Sequence, residues 1–231
     1  ELIRLTEQQA QALDLLRHHR RAIIQGCAGS GKTILAVEKA KQLAAEGLRV
    51  LLLCYNKRLA RRLAGETEDV ENVTATHFHS LAVSTIKVAE IEVDWDVDSE
   101  ELWDRQIPEL LVDAIVATEE RYAAIIVDAA QDFAASWWDP IQWLLEDEKD
   151  GVIFIFMDNN QRLYDRTEGM PVETPPFSLT LNCRNTISIH EFVAGYYQGE
   201  AAPNVMAPAG RAVEVIRCHD ASDLGLSLIH I

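Results

Sequence analysis

Two unbroken apolar runs, "YAAIIVD" (122–128) and "GVIFIFMD" (151–158), each end in an aspartate. Runs without polar alternation are the pattern of parallel strands buried on both faces. "RAIIQG" and "RVLLLCYN" repeat that pattern earlier, and "NVTATHF", "FSLTLN" and "RAVEVIRC" are shorter candidates. Helical spacing fills the intervals. "LTEQQAQALDLLRHHR" places Leu5, Ala12, Leu13, Leu15 and Leu16 at helical positions, with Thr6 as N-cap, and predicts a helix from about Glu7. "KTILAVEKAKQLAAEG" predicts a helix closed by Gly47, and "KRLARRLAG" a basic helix ended by Gly65. "HSLAVSTIKVA", "SWWDPIQWLLED" and "TISIHEFVAGYYQG" (capped by Gly199) predict three more. Residues 98–119 read as an acidic helical stretch interrupted near Pro108, and "AAPNVMAPAG" as a loop.

Strands alternating with helices predict an α/β fold, a parallel sheet with helices on both faces. Ligands of such sheets bind beyond the carboxyl ends of the strands. Gly26 to Thr33, Asn56, Asp128, Asp158 and Asn182 all fall at those ends.

Composition changes this picture in a few places. A chain of 231 residues, 48% of them hydrophobic, can bury one sizeable core. No run approaches the ~18 apolar residues of a membrane span, and no charged and apolar leader opens the chain. The expectation is a soluble protein without membrane attachment. Cys27, Cys54, Cys183 and Cys218 are scattered without a CxxC pair, which points away from disulfides and zinc and towards a reducing, cytoplasmic setting. The net charge of −16 argues at first against a nucleic-acid partner. Residues 90–120, however, hold twelve acidic side chains against one base, Arg105, and so carry most of that charge. The closing "LSLIHI" (226–231) is similar to the in-frame translation of a sequencing-library adapter.

"GCAGSGKT", Gly26 to Thr33, matches G-x-x-x-x-G-K-[ST] between a predicted strand and a predicted helix. In that motif Gly26, Cys27, Ala28, Gly29, Ser30 and Gly31 wrap backbone N–H groups around phosphates. Lys32 reaches the β- and γ-phosphates, and the Thr33 hydroxyl ligates Mg²⁺. Asp128, ending "AAIIVD", fits the strand-end carboxylate that holds the same Mg²⁺. The expected ligand is a nucleoside triphosphate with Mg²⁺, ATP in particular.

The series "LTEQQAQAL", "GCAGSGKT", "LLLCYNKRLARRL", "THFHSLA", "IIVDAAQDF", "FMDNNQRLY", "LNCRNT" resembles the ordered motifs of superfamily 1 helicases of the UvrD/Rep-like group. Compact bacterial members fused to nuclease-related domains are the most similar, and the likeness runs over about residues 5–195. It implies a RecA-like core domain over 1–207, with 82–120 as a reduced acidic insertion and 208–231 as the start of a truncated next segment. Gln9 resembles the glutamine that reads adenine, and Gln131 the residue bridging nucleotide and strand sites. Gln161 resembles the γ-phosphate sensor, and Arg184 an arginine finger. Asn56, Lys57, Arg58, Phe78, His79, Ser80 and Tyr164 resemble strand-contacting positions, the partner being single-stranded DNA, with RNA left open. Lys57, Arg58, Arg61 and Arg62 read equally as a solvated helix face. The helical spacing of Trp137, Trp138 and Trp143 favours core packing over base stacking.

Departures from the family pattern shape the functional expectation. The family's Asp-Glu-x-Gln-Asp is here "DAAQD", so the general base is replaced by Ala129. An engineered change, an inactive paralogue and a single-base error are the three readings of that alanine. Asp132 lies too far along to substitute. Cys183 stands where the family usually has Tyr, and Met157-Asp158 where it has Gly-Asp. The second RecA-like domain, which closes on ATP in the family, is expected to be missing after about Ala207. Two functional expectations follow: an ATP-binding helicase domain deficient in hydrolysis, or an inactive ATP-binding module that switches nucleic-acid or protein binding. An ATPase acting on something other than nucleic acid fits "THFHSL" and "NCRNT" poorly.

Overall fold

The computed structural model describes residues 7–95, 101–158, 169–183, 185–194, 204–205 and 208–213. Its centre is a parallel six-stranded sheet. The strands are β1 (Arg21–Gly26), β2 (Val50–Cys54), β3 (Val73–His77), β4 (Ala124–Asp128), β5 (Val152–Met157) and β6 (Phe177–Leu179), in the spatial order β3-β2-β4-β5-β1-β6. β2, β4 and β5 are buried at every position, which is why their sequences read as unbroken apolar runs.

Alternate residues of each strand feed two cores. Leu51, Leu53, Ile125, Val127, Ile153 and Ile155 face one side, against α4 (Phe78–Val88), α5 (Ile107–Thr118) and α6 (Trp138–Trp143). Val50, Leu52, Ala124, Ile126, Phe154 and Phe156 face the other, against α1 (Glu7–Leu16), α2 (Lys32–Ala45) and α3 (Lys57–Glu66). The expected RecA-like P-loop architecture, with helices on both faces, is the one observed.

Several boundaries differ from expectation for local reasons. Gly65 does not end the basic helix: α3 runs through it to Glu66, and Thr67 is the C-cap. Gly47, by contrast, lies at φ 87 just past the end of α2, as expected of a C-terminal glycine. Pro108 does not interrupt the acidic helix. It sits in the first turn of α5, where a missing N–H costs nothing, and a π-helical turn at Leu102–Gln106 leads into it. "FSLTLN" divides into β6 and β7 (Leu181–Asn182). β7 leaves the main sheet to pair with β8 (Asn204–Val205), inside a stretch expected to be loop. α7 covers Ile187–Ala194, and residues 211–213 of the last strand candidate have no regular structure.

The segment expected as a reduced acidic insertion contributes to the core. Leu102, Ile107, Leu111, Ala114 and Ile115 pack into the first core, leaving Glu101 and Glu109 in solvent. Trp137 and Trp138 are core residues as their spacing predicted, but Trp143 is 44% exposed. Trp143 lies about 140° around α6 from Trp138, so the same helix turns it outward.

Candidate nucleotide and nucleic-acid sites

β1 delivers the phosphate loop. Pairing of Gln25 with Met157 brings the end of β1 beside the end of β5, so Asp158 faces the loop. Gly26 is required by close approach: a Cβ there would lie 2.5 Å from Ser30 Oγ and 3.0 Å from Leu179 Cβ. Gly31, the N-cap of α2, has φ 88, and a Cβ would sit 2.0 Å from Gln9 Nε2. That nitrogen donates to Ser30 O at 3.0 Å, so buried Gln9 is tied to the loop from α1.

Lys32 Nζ donates to Gly26 O at 2.8 Å and Cys27 O at 2.9 Å, and lies 3.5 Å from Asp158 Oδ2. Burial pushes its pKa down, while the Asp158 carboxylate pushes it back up. A phosphate would restore the preference for the charged ammonium.

Asp128 is 2% exposed at the end of β4. Burial raises its pKa, opposed by a hydrogen bond from Thr33, the Ala129 backbone and the charges of Lys32 and Arg62. Its Oδ2 is buried with no hydrogen-bond partner among the described residues. An orphaned carboxylate oxygen beside a threonine hydroxyl at a phosphate loop is a donor set that fits Mg²⁺. No group of three or more His, Cys, Asp or Glu side chains poised for a metal occurs among the described residues.

These groups line one cavity of about 340 Å³, together with Gln9, Arg62, Ala129, Gln131 and Cys183. Gln131 Oε1 accepts from the Asp158 N–H at 3.1 Å, and the Cys183 N–H donates to Gly29 O at 3.0 Å. Ala129 has φ 57 and begins a 3₁₀ turn over Ala130–Asp132. No carboxylate occupies the position after Asp128, and Asp132 is not part of the lining. Gln161, Tyr164 and Arg184 lie outside the described residues.

A second, open groove of about 550 Å³ is lined by Tyr55, Asn56, Lys57, Arg58, Arg61, His77 and His79. It gathers Asn56, Lys57, Arg58 and His79 on one surface. The Asn56 side chain also caps α3, accepting from Arg58 N at 2.8 Å and Leu59 N at 3.3 Å. Phe78 departs from expectation. It is fully buried, stacked 4.1 Å from Trp137, and its ring supports the sheet instead of facing a strand. Ser80 is exposed beyond the groove lining, its N–H donated to His77 Nδ1 at 3.3 Å. Tyr55 and His77 were not singled out from sequence. Each directly precedes a motif residue that was, and adjacency was the available signal.

Residues 9–166 match the AAA domain family. No curated protein sequence matches. Among solved structures, Pif1 helicase from Candida albicans is similar at 14% identity, covering 77% of this chain and 40% of that one, with TM-score 0.51. A Bacteroides Pif1 bound to ssDNA is 18% identical over 85% of this chain and 37% of its own, with TM-score 0.40. The chain spans well under half the length of these helicases.

Proposed function

Because the chain belongs to the AAA domain family and has a helicase-type P-loop fold, we propose that it is the ATP-binding core domain of a superfamily 1 DNA helicase. The observation that carries this reading is the convergence of Lys32, Thr33 and Asp128, whose buried Oδ2 has no hydrogen-bond partner among the described residues, on one cavity. The motif order favours the UvrD/Rep-like group, with fusion to nuclease-related domains in the parent protein.

In this reading backbone N–H groups of Gly29 to Thr33 and the N-terminus of α2 hold the phosphates. Lys32 exchanges its loop carbonyls for phosphate oxygens, which cost it nothing in charge. Thr33 and Asp128 hold Mg²⁺, which when bound neutralises charge on the β- and γ-phosphates. Gln9 faces the base, and Gln131 links the cavity to the Asp158 backbone. Gln161 and Arg184 complete the γ-phosphate contacts. Single-stranded DNA lies along the Tyr55–Arg61 groove, with Lys57, Arg58 and Arg61 on its phosphates. Translocation requires a second RecA-like domain in the parent protein.

Ala129 favours a second reading of the same site, an ATP-binding module that does not turn over. Alanine neither accepts a proton nor orients water, and positioned acid–base catalysis is worth about 10²–10⁴-fold. Phosphate release with single-stranded DNA present, compared between this chain and Ala129→Glu, separates the two. Turnover only in the glutamate variant identifies a silenced ATPase. Equal turnover in both would remove position 129 from the chemistry.

A further inference from the structure

The basic helix α3 serves two sites with adjacent residues. It begins at Lys57, just beyond the end of β2, and β2 pairs with β4 so that Cys54 lies opposite Asp128. The first turns of α3 therefore rise beside the end of β4. Ala60 and Leu63 bury the inner face. Successive residues on a helix diverge by about 100°, which sends Arg61 and Arg62 in different directions. Arg61 lines the open groove with Lys57 and Arg58. Arg62 lines the nucleotide cavity with Lys32, Asp128 and Ala129.

Arg62 is also held in place. Its Nε lies 2.6 Å from Glu66 Oε1, one turn along the helix. The side chains are 54% and 27% exposed, so the pair adds little stability, but its contact at Nε directs the terminal nitrogens of the guanidinium away from Glu66. The two terminal nitrogens bond no other described residue and remain available for a planar, two-point contact with phosphate oxygens. Arg62 lines the same cavity as Asp128 and is close enough for its charge to act on that carboxylate, which places it at the metal end of the cavity.

We propose that Arg62 is a further nucleotide-binding residue, reading the terminal phosphate of a nucleoside triphosphate from α3, with Glu66 as its positioning residue. This rests on the nucleotide-binding reading above and adds to it a means of distinguishing triphosphate from diphosphate. It also resolves the basic helix face: Lys57, Arg58 and Arg61 serve the strand groove, and Arg62 serves the nucleotide.

The test is equilibrium binding of a fluorescent non-hydrolysable ATP analogue and of fluorescent ADP, both with Mg²⁺. Wild type is compared with Arg62→Ala, Arg62→Lys, Glu66→Gln and Lys32→Ala. Arg62→Ala should weaken the triphosphate analogue by about tenfold or more, the scale of a charge-assisted phosphate contact, and leave ADP within about twofold. Arg62→Lys should recover part of the loss, and Glu66→Gln should fall between wild type and Arg62→Ala. Binding of oligo(dT) without nucleotide should be unchanged by Arg62→Ala and weakened by Arg61→Ala. Equal losses for both nucleotides, no loss for either, or loss of oligo(dT) binding alone would overturn the assignment. Wild-type binding to neither nucleotide, or equal binding by Lys32→Ala, would instead overturn the nucleotide site itself and Arg62 with it.

Discussion

The site is defined by a carboxylate that the fold buries at some cost. Asp128 is buried and its carboxylate is held above the usual aspartate range, chiefly by desolvation. A carboxyl whose folded-state pKa is raised binds its proton more tightly folded than unfolded. Its contribution to stability therefore falls as pH rises from the unfolded value through the folded one. Ligand-free protein should lose stability over that window, and Mg²⁺ with nucleotide should restore it. Asp128→Asn removes the ionisable group, so it should abolish this pH dependence of ligand-free stability together with the Mg²⁺ dependence of nucleotide binding. Urea unfolding with and without Mg²⁺-nucleotide measures both. If Asp128→Asn keeps the Mg²⁺-dependent stabilisation by nucleotide, the metal assignment fails.

Cysteines give a second check at this scale. Cys54 is fully buried and its thiol is pushed up to about 12, so it should resist alkylation in the native state. Cys183 is partly exposed on the nucleotide cavity. N-ethylmaleimide labelling of Cys183, read by peptide mass, should slow several-fold with ATP analogue present. Unchanged labelling would place the nucleotide elsewhere. Among these residues the phosphate loop and Asp128 were legible in the sequence because their spacing is the chemistry. Buried Lys39 was not: nothing in the helix pattern singles it out, yet its Nζ donates to Leu16 O at 3.2 Å and sits 4.8 Å from the Phe154 ring centroid. Only the packing of α1 against α2 creates that position.

Among the elements, α3 carries the most information. Asn56 is the hinge of its function, both N-cap and groove residue. Asn56→Ala should cost about 1 kcal/mol through the lost cap. Asn56→Asp should keep the cap and stability while weakening oligo(dT) binding through a negative charge in the groove. If both variants bind oligo(dT) like wild type, the groove is not the strand path. The strands and most helices were legible because burial on both faces leaves no polar alternation. What the sequence did not reveal were the ends. Gly65 and Pro108 are strong punctuation locally, yet Leu63 packs α3 onward and the first-turn position of Pro108 carries no penalty. The switch of β7 to pair with β8 is a long-range choice that no local pattern encodes.

For the whole molecule, charge is divided. A chain of net charge −16 presents Lys57, Arg58 and Arg61 together on one groove. Strand binding should therefore be weak, local and steeply salt-dependent. Replacing all three cations should reduce the slope of log affinity against log salt by up to about 2, the release expected for three single-strand phosphate contacts. Within the groove, burial and the neighbouring His77 hold His79 below the usual histidine range, and the Asp104 carboxylate only partly opposes them. Among the described residues no helix is long and apolar enough to cross a membrane.

The account rests on the cavity at Lys32, Thr33 and Asp128 being a nucleotide site. Titration of this chain and of Lys32→Ala with a fluorescent ATP analogue, with Mg²⁺ and with EDTA, tests it most directly. Saturable binding that Mg²⁺ strengthens, and that Lys32→Ala weakens by at least about tenfold, is the predicted result. Absence of saturable binding, or binding indifferent to both Mg²⁺ and Lys32, would contradict it.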